Sequence, residues 1–227
     1  MRNSEEGRSL SKEKKQELFC QSMIKWYHRN GRTFPWRDTQ DPYHLFVAEV
    51  LLQKTRASNV TEIYSVLIDR YPKMSDLAQA RKSDVSDIVE RLGLVNSRTK
   101  TLIEGASEYL SEYNTVPDSK DALVAVDGLG EYSSNAILCF AFDRPVALVD
   151  GNIARVLSRV FAIDHNSAHR RIPKAIKEMA DQLLPRSQLR EYNFGLLDFG
   201  FEVCSARKPK CTECALYDVC LLKPTLK

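Results

Sequence analysis

The strongest constraint on how this chain folds is a turn with two glycines, Val126-Asp127-Gly128-Leu129-Gly130, set between two apolar segments of helical period. Leu123, Val124 and Val126 precede it, and Ala136, Ile137, Phe140 and Ala141 follow at helical spacing. Gly128 and Gly130 between such segments predict a helix–turn–helix hairpin and not a strand. Glycine supplies positive φ and lets a second backbone come close. The amides of such a turn, with a helix N-terminus behind them, make a phosphate site. An ordinary Asp-Gly turn is the competing reading, because Gly-x-Gly alone is a weak signal. Further on, the apolar run Val146-Ala147-Leu148-Val149 leads to Asp150-Gly151-Asn152 and a helix pattern of Ile153, Val156, Leu157 and Val160. Asp150 stands where a helix N-cap belongs. It also lies about one helix and a short return beyond Gly130, so a carboxylate could come back beside the turn. Held ionised by a helix N-terminus, it suits stabilisation of a positive, oxocarbenium-like sugar.

A second constraint is the spacing of four cysteines, Cys204-x6-Cys211-x2-Cys214-x5-Cys220. The amino end is polar, with no signal-peptide core, and no apolar run approaches a membrane span. A cytoplasmic protein without a membrane role is expected, with thiols reduced or bound to metal. Zinc accepts four thiolates, but its structural sites usually present two close pairs, and here only Cys211 and Cys214 are close. An iron–sulfur cubane spreads its ligands over a larger object and is favoured, with zinc as the alternative. Arg207, Lys208 and Lys210 sit between the first two ligands, where a rigid loop would aim them at phosphates. Cys20 and Cys139 lie in apolar helical contexts and read as core.

The 227 residues and 43% hydrophobic content fit one or two domains with a real core. A net charge of +3 is too mild to establish a nucleic-acid partner, so local clusters must. Residues 1–10 read as a solvated tail, and Arg170, Arg171, Lys174 and Lys177 as a solvated face. Phe34 and Trp36 read as anchors of a packed loop. From Val60 to Tyr113 the pattern is helical, broken at Gly93-Leu94-Val95-Asn96 and resumed from Thr99. Glu49 interrupts the apolar segment Pro42–Thr55. On residue type alone it is expected on the solvent side of its helix; buried, it would be held protonated, as a general acid must be.

The turn at 126–130, followed by Leu148-Val149-Asp150-Gly151-Asn152, resembles the helix–hairpin–helix DNA glycosylase superfamily, which includes endonuclease III, MutY-type adenine glycosylases and archaeal-type thymine mismatch glycosylases. The resemblance runs from about Trp26 to Cys220. It departs at Asp127, where the family usually has Pro, although Asp also favours a turn. It implies an all-α fold of two helical lobes, residues 31–143 and residues 1–30 with 144–227. Double-stranded DNA with a mismatched or damaged base would lie in the cleft, the target nucleotide would be flipped out, and the enzyme would be a monomer. The cysteine spacing is similar to the family's 4Fe–4S motif.

The resemblance also implies roles. Gly128 and Gly130 would hold phosphate, with Asn152 at the neighbouring DNA contact. Gln53, Lys54 and Thr55 would reach into the base stack, and Leu94 or Val95 would be the wedge beside the flipped nucleotide. Asp150 would stabilise or trap the sugar cation, and Glu49 would protonate the departing base or order water. Tyr132 stands where strand-cleaving members carry the Schiff-base Lys; Tyr cannot do that chemistry, so a monofunctional enzyme is expected. Tyr132 is similar to thymine/uracil mismatch enzymes, and the chain ends soon after Cys220, with no room for the C-terminal reader domain of MutY-type enzymes. Thymine or uracil opposite guanine is therefore the first expected substrate. Adenine opposite guanine or 8-oxoguanine is the alternative, followed by an endonuclease III-like lyase and a catalytically silent DNA-binding module.

Overall fold

The structure, a computed structural model, describes residues 11–165 and 171–224. Residues 1–10 and Arg170 lie outside them. Among the described residues there is no strand, and no helix is long and apolar enough to cross a membrane. The helices are α1 (Lys12–Asn30), α2 (Pro42–Leu52), α3 (Ala57–Arg70), α4 (Met74–Ala78), α5 (Lys82–Val89), α6 (Val95–Tyr113), α7 (Lys120–Ala125), α8 (Glu131–Phe142), α9 (Gly151–Phe161), α10 (Lys174–Gln182) and α11 (Leu189–Glu202). They divide into two compact units, Arg32–Leu148 and Met1–Gly31 with Val149–Lys227.

The unit Arg32–Leu148 is built around α2. Asp41 caps it, accepting hydrogen bonds from the amides of Tyr43 (2.8 Å) and His44 (3.4 Å), and Pro42 takes the first helical position. Every residue from Leu45 to Leu51 is buried, so the helix has no solvent face. Helices α3, α6 and α8 pack against it. Trp36 is buried, with Phe34 stacked on it at 4.9 Å between ring centroids, as expected of a packed loop. The stretch Val60–Tyr113 is cut into four helices. Its break is shorter than its composition indicates, because α6 begins at Val95 and not at Thr99. Gly93 at φ +69° and Leu94 at φ +51° make the whole reversal, leaving Val95 and Asn96 helical.

The unit boundary falls between Leu148 and Val149 and not after Asp143. Contacts of the return segment explain this. Arg144 forms a two-pronged pair with Asp118 (2.9 and 2.5 Å), and Asn135 donates to the Ala147 carbonyl at 3.0 Å.

In the other unit α1 lies along α11. Trp26 meets Phe199 edge-on at 5.5 Å, and Phe19 meets Tyr192 at 6.4 Å. Gly195 allows the approach: a Cβ there would sit 2.7 Å from the Met23 carbonyl oxygen. Cys20 is half-buried and its thiol donates to the Leu183 carbonyl at 3.0 Å; Cys139, in the first unit, is buried outright. On α10, Ile176 and Ala180 face inward, while Lys174 and Lys177, and Arg171 before the helix, are exposed.

Because the Met23 oxygen is backbone, Gly195→Ala must push α1 and α11 apart. An overpacked contact costs about 1–3 kcal/mol, so the melting temperature should fall by roughly 2–12 °C. An unchanged melting curve would show that the two helices have room to spare.

Candidate active site

Glu49 is the first departure from expectation. Composition places it on a solvent face, yet it is 7% exposed, because α2 has no such face. Burial pushes its carboxyl up to about 8, opposed only in part by a hydrogen bond from Ser133. Ser133 is the third residue of α8, and Tyr132 the second. At neutral pH the carboxyl therefore carries a proton beside Ser133, and Tyr132, the residue before Ser133, is half-buried.

The start of α8 follows the hairpin. The Leu129 amide donates to the Val126 carbonyl at 3.1 Å, closing the turn. Only Gly128 has positive φ, +92°, and a Cβ on it would strike the Thr101 hydroxyl at 2.1 Å. Gly130 is in extended conformation as the N-cap of α8, and a Cβ there would meet nothing within 4 Å. The two glycines thus do different work: one permits the turn, and the other leaves space at a helix N-terminus where an anion is favoured. Thr101 donates to the Asp127 carbonyl at 2.9 Å, Lys100 reaches the Asp127 carboxylate at 2.7 Å, and Gln53 donates its amide to the Gly128 carbonyl at 2.8 Å. Asp127 is thereby tied into α6.

Gln53, Lys54 and Leu94 lie on two turns of this unit. Lys54 and Leu94 both adopt left-handed backbone conformations and both are exposed. The Arg98 side chain joins the two turns, and its residue type did not announce that. It is 1% exposed. Nε donates to the Val50 carbonyl at 3.3 Å, Nη1 to the carbonyls of Leu92 (2.8 Å) and Gly93, and Nη2 to that of Gln53. Charge-assisted hydrogen bonds contribute about 1.5–3 kcal/mol each, which offsets the cost of burying the guanidinium.

Asp150 belongs to the other unit. It is the N-cap of α9: Oδ1 accepts from the Ile153 amide at 2.7 Å, and Oδ2 accepts from the Asn152 amide side chain at 3.1 Å. Asn152 in turn accepts from Arg155 (2.9 Å), and Arg155 also donates to the carbonyls of Gly200 (2.7 Å) and Cys204 (2.9 Å). One turn on, Arg159 donates to the carbonyls of Ser205 (2.8 Å) and Ala206 (3.0 Å). A continuous chain of hydrogen bonds therefore leads from Asp150 to the first cysteine's loop. The N-cap position of Asp150 was legible in the sequence; Arg155 and Arg159 were hidden by their ordinary i, i+4 spacing.

Cys204, Cys211, Cys214 and Cys220 all line one cavity of about 390 Å³, with Leu216, Tyr217 and Leu222 among the walls. Burial pushes the Cys214 thiol up to about 11 and raises that of Cys220. Among the described residues no group of three His, Cys, Asp or Glu closes around a single ion. Arg207, Lys208 and Lys210 are exposed on the loop between the first two cysteines, which is pinned by a Ser205 hydroxyl to Lys208 carbonyl bond at 2.7 Å.

Residues 47–182 match the model of the HhH-GPD superfamily base excision DNA repair protein. The chain is 34% identical to a thymine/uracil-DNA glycosylase of Methanothermobacter thermautotrophicus over 208 residues, 91% of this chain and 94% of that one. It is 35% identical to an adenine DNA glycosylase of Mycobacterium tuberculosis over 200 residues, 86% of this chain and 64% of that one. A solved structure of a thermostable thymine-DNA glycosylase superposes with a TM-score of 0.85 at 34% identity, covering 92% of this chain and 97% of the other.

The raised Glu49 pKa has a consequence for stability. An ordinary Glu titrates near 4.5, and this one near 8. Between those values the native chain keeps a proton that the unfolded chain has lost, so stability falls as pH rises through the window. A shift of that size corresponds to about 5 kcal/mol. Glu49→Gln should flatten the pH dependence between pH 5 and 8 and melt higher than the parent above pH 8. Parallel melting curves for the two proteins would mean that Glu49 is solvated.

Proposed function

Starting from a chain that belongs to the HhH-GPD superfamily of base excision DNA repair proteins, we propose that it is a monofunctional DNA N-glycosylase that releases thymine or uracil mispaired with guanine. The observation that carries this reading is a buried, protonated Glu49 beside Ser133 at the start of α8, where Tyr132 is the preceding residue, in a chain similar nearly end to end to a thymine/uracil-DNA glycosylase.

The chemistry follows from the residues. A glycosidic bond inside duplex DNA is out of reach, so the nucleotide must leave the stack, and a mispaired base leaves at least cost. The Gly130 end of α8 offers the positive end of a helix to a phosphate of the distorted strand. Tyr132 offers a ring to stack on a pyrimidine and a hydroxyl for its polar edge. Glu49, neutral at physiological pH, gives its proton to the departing base. Asp150, held on both oxygens, stabilises the positive charge that develops on the sugar. Water completes the hydrolysis and leaves an abasic site. With Tyr132 in the Schiff-base position, no lysine acts on the sugar.

A 4Fe–4S cluster is the group proposed for the cysteine cavity. Four thiols around one apolar space, without convergence on a single ion, suit an object with four separated corners. When bound, the cluster supplies rigidity and no base-removal chemistry. The chain's own part is to carry Arg207, Lys208 and Lys210 on that loop, where they meet phosphates. Release of adenine opposite guanine or 8-oxoguanine is the second reading, favoured by the similarity to an adenine DNA glycosylase and by a Glu49 suited to protonating a purine.

Single-turnover base release at one fixed salt concentration separates the readings. Thymine and uracil opposite guanine should leave faster than adenine opposite 8-oxoguanine; the reverse order would favour the second reading. Asp150→Asn should keep DNA binding but slow release by at least ~100-fold, whereas near-parental release would reduce Asp150 to a helix cap. Protein purified without oxygen should be brown, with about four irons per chain. Stoichiometric zinc and no iron would remove the cluster.

A further inference from the structure

We propose that Arg98 is a positioning residue that clasps the Gln53–Lys54 turn and the Gly93–Leu94 turn into one two-pronged wedge for the DNA stack. This deepens the glycosylase reading and rests on it. The two turns are far apart in sequence, and each ends in a non-glycine residue of left-handed conformation, Lys54 at φ +52° and Leu94 at φ +51°. Such residues are strained and persist only where their surroundings over-determine them. Leu94 is 46% exposed, an apolar side chain turned to solvent at the tip of its turn.

One buried guanidinium supplies the constraint. It donates to Val50 and Gln53 on one side and to Leu92 and Gly93 on the other. The acceptors Val50 and Gln53 are carbonyls at the C-terminal end of α2, which lack helical partners and attract a cation. The planar fork of Arg reaches both turns at once, and the single ammonium of Lys cannot. Gln53 adds a second brace, since its side-chain amide donates to the Gly128 carbonyl at 2.8 Å. Whatever presses on Leu94 is therefore resisted by α2 and by the hairpin together. A wedge must not yield when bases are pushed apart, and this is the mechanical property that the clasp provides.

The test is Arg98→Lys in the full chain, with a duplex carrying 2-aminopurine beside a tetrahydrofuran abasic analogue. Unstacking brightens 2-aminopurine and needs no chemistry, so this measurement is independent of base release. The parent protein should brighten the probe on binding. The variant should lose at least ~80% of that rise at saturation, with its Kd within about threefold, because unstacking and phosphate binding draw on different contacts. On a guanine–uracil duplex its single-turnover rate at saturation should fall at least ~10-fold with little change in the half-saturating concentration. An unchanged probe signal in a folded variant overturns the proposal. Absence of base release by the parent would overturn the glycosylase reading and leave the fluorescence result to decide the wedge. If the variant does not fold, hydrogen exchange of the parent decides. Amides at 53–55 and 93–95 should open as one unit and slow together on DNA, and independent exchange overturns the clasp.

Discussion

Helix α2 has no solvent face, and the unit Arg32–Leu148 depends on that. A helix surrounded by α3, α6 and α8 must be apolar at almost every position, and from Leu45 to Leu51 it is, except at Glu49. A single carboxyl in such a place cannot stay charged without a partner of opposite sign. Burial keeps the proton on it, against the partial opposition of the Ser133 hydroxyl at the start of α8. The same packing that stabilises the unit thus sets the protonation state a general acid requires. The stability lost to that carboxyl at alkaline pH is the counterpart of having an acid available at neutral pH.

Arginine does comparable structural work in both units, through carbonyl oxygens. Arg98 gathers carbonyls from the end of α2 and from the turn before α6. Arg155 and Arg159 gather carbonyls from the end of α11 and the loop of Cys204. Irregular backbone leaves acceptors without partners, and a guanidinium satisfies several at once from one rigid plane. Each set of turns or loops is therefore tied together through guanidinium groups. In one unit the tied turns carry Lys54 and Leu94. In the other the hydrogen bonds join Asp150, through Asn152 and Arg155, to the cysteine loop, so the orientation of the carboxylate and the placement of that loop are connected.

Much was legible in the amino-acid order because it depends on local chemistry. The helical periods, the glycine turn at 126–130, Asp150 as the N-cap of α9 and the grouping of four cysteines each follow from residues a few positions apart. The break before α6 was legible too, though drawn too long, because periodicity does not reveal that Gly93 and Leu94 suffice to reverse the chain. What the sequence could not determine is what each side chain meets far along the chain. Glu49 looks exposed by residue type and is buried, since that depends on helices contributed from three other stretches. Gly128 and Gly130 look alike, but Thr101 makes one of them obligatory and leaves the other open. Arg98 looks like a surface residue of an amphipathic helix. Its role exists only where the chain brings Val50, Gln53, Leu92 and Gly93 around one guanidinium, and burial, unlike helical period, is a property of the folded whole.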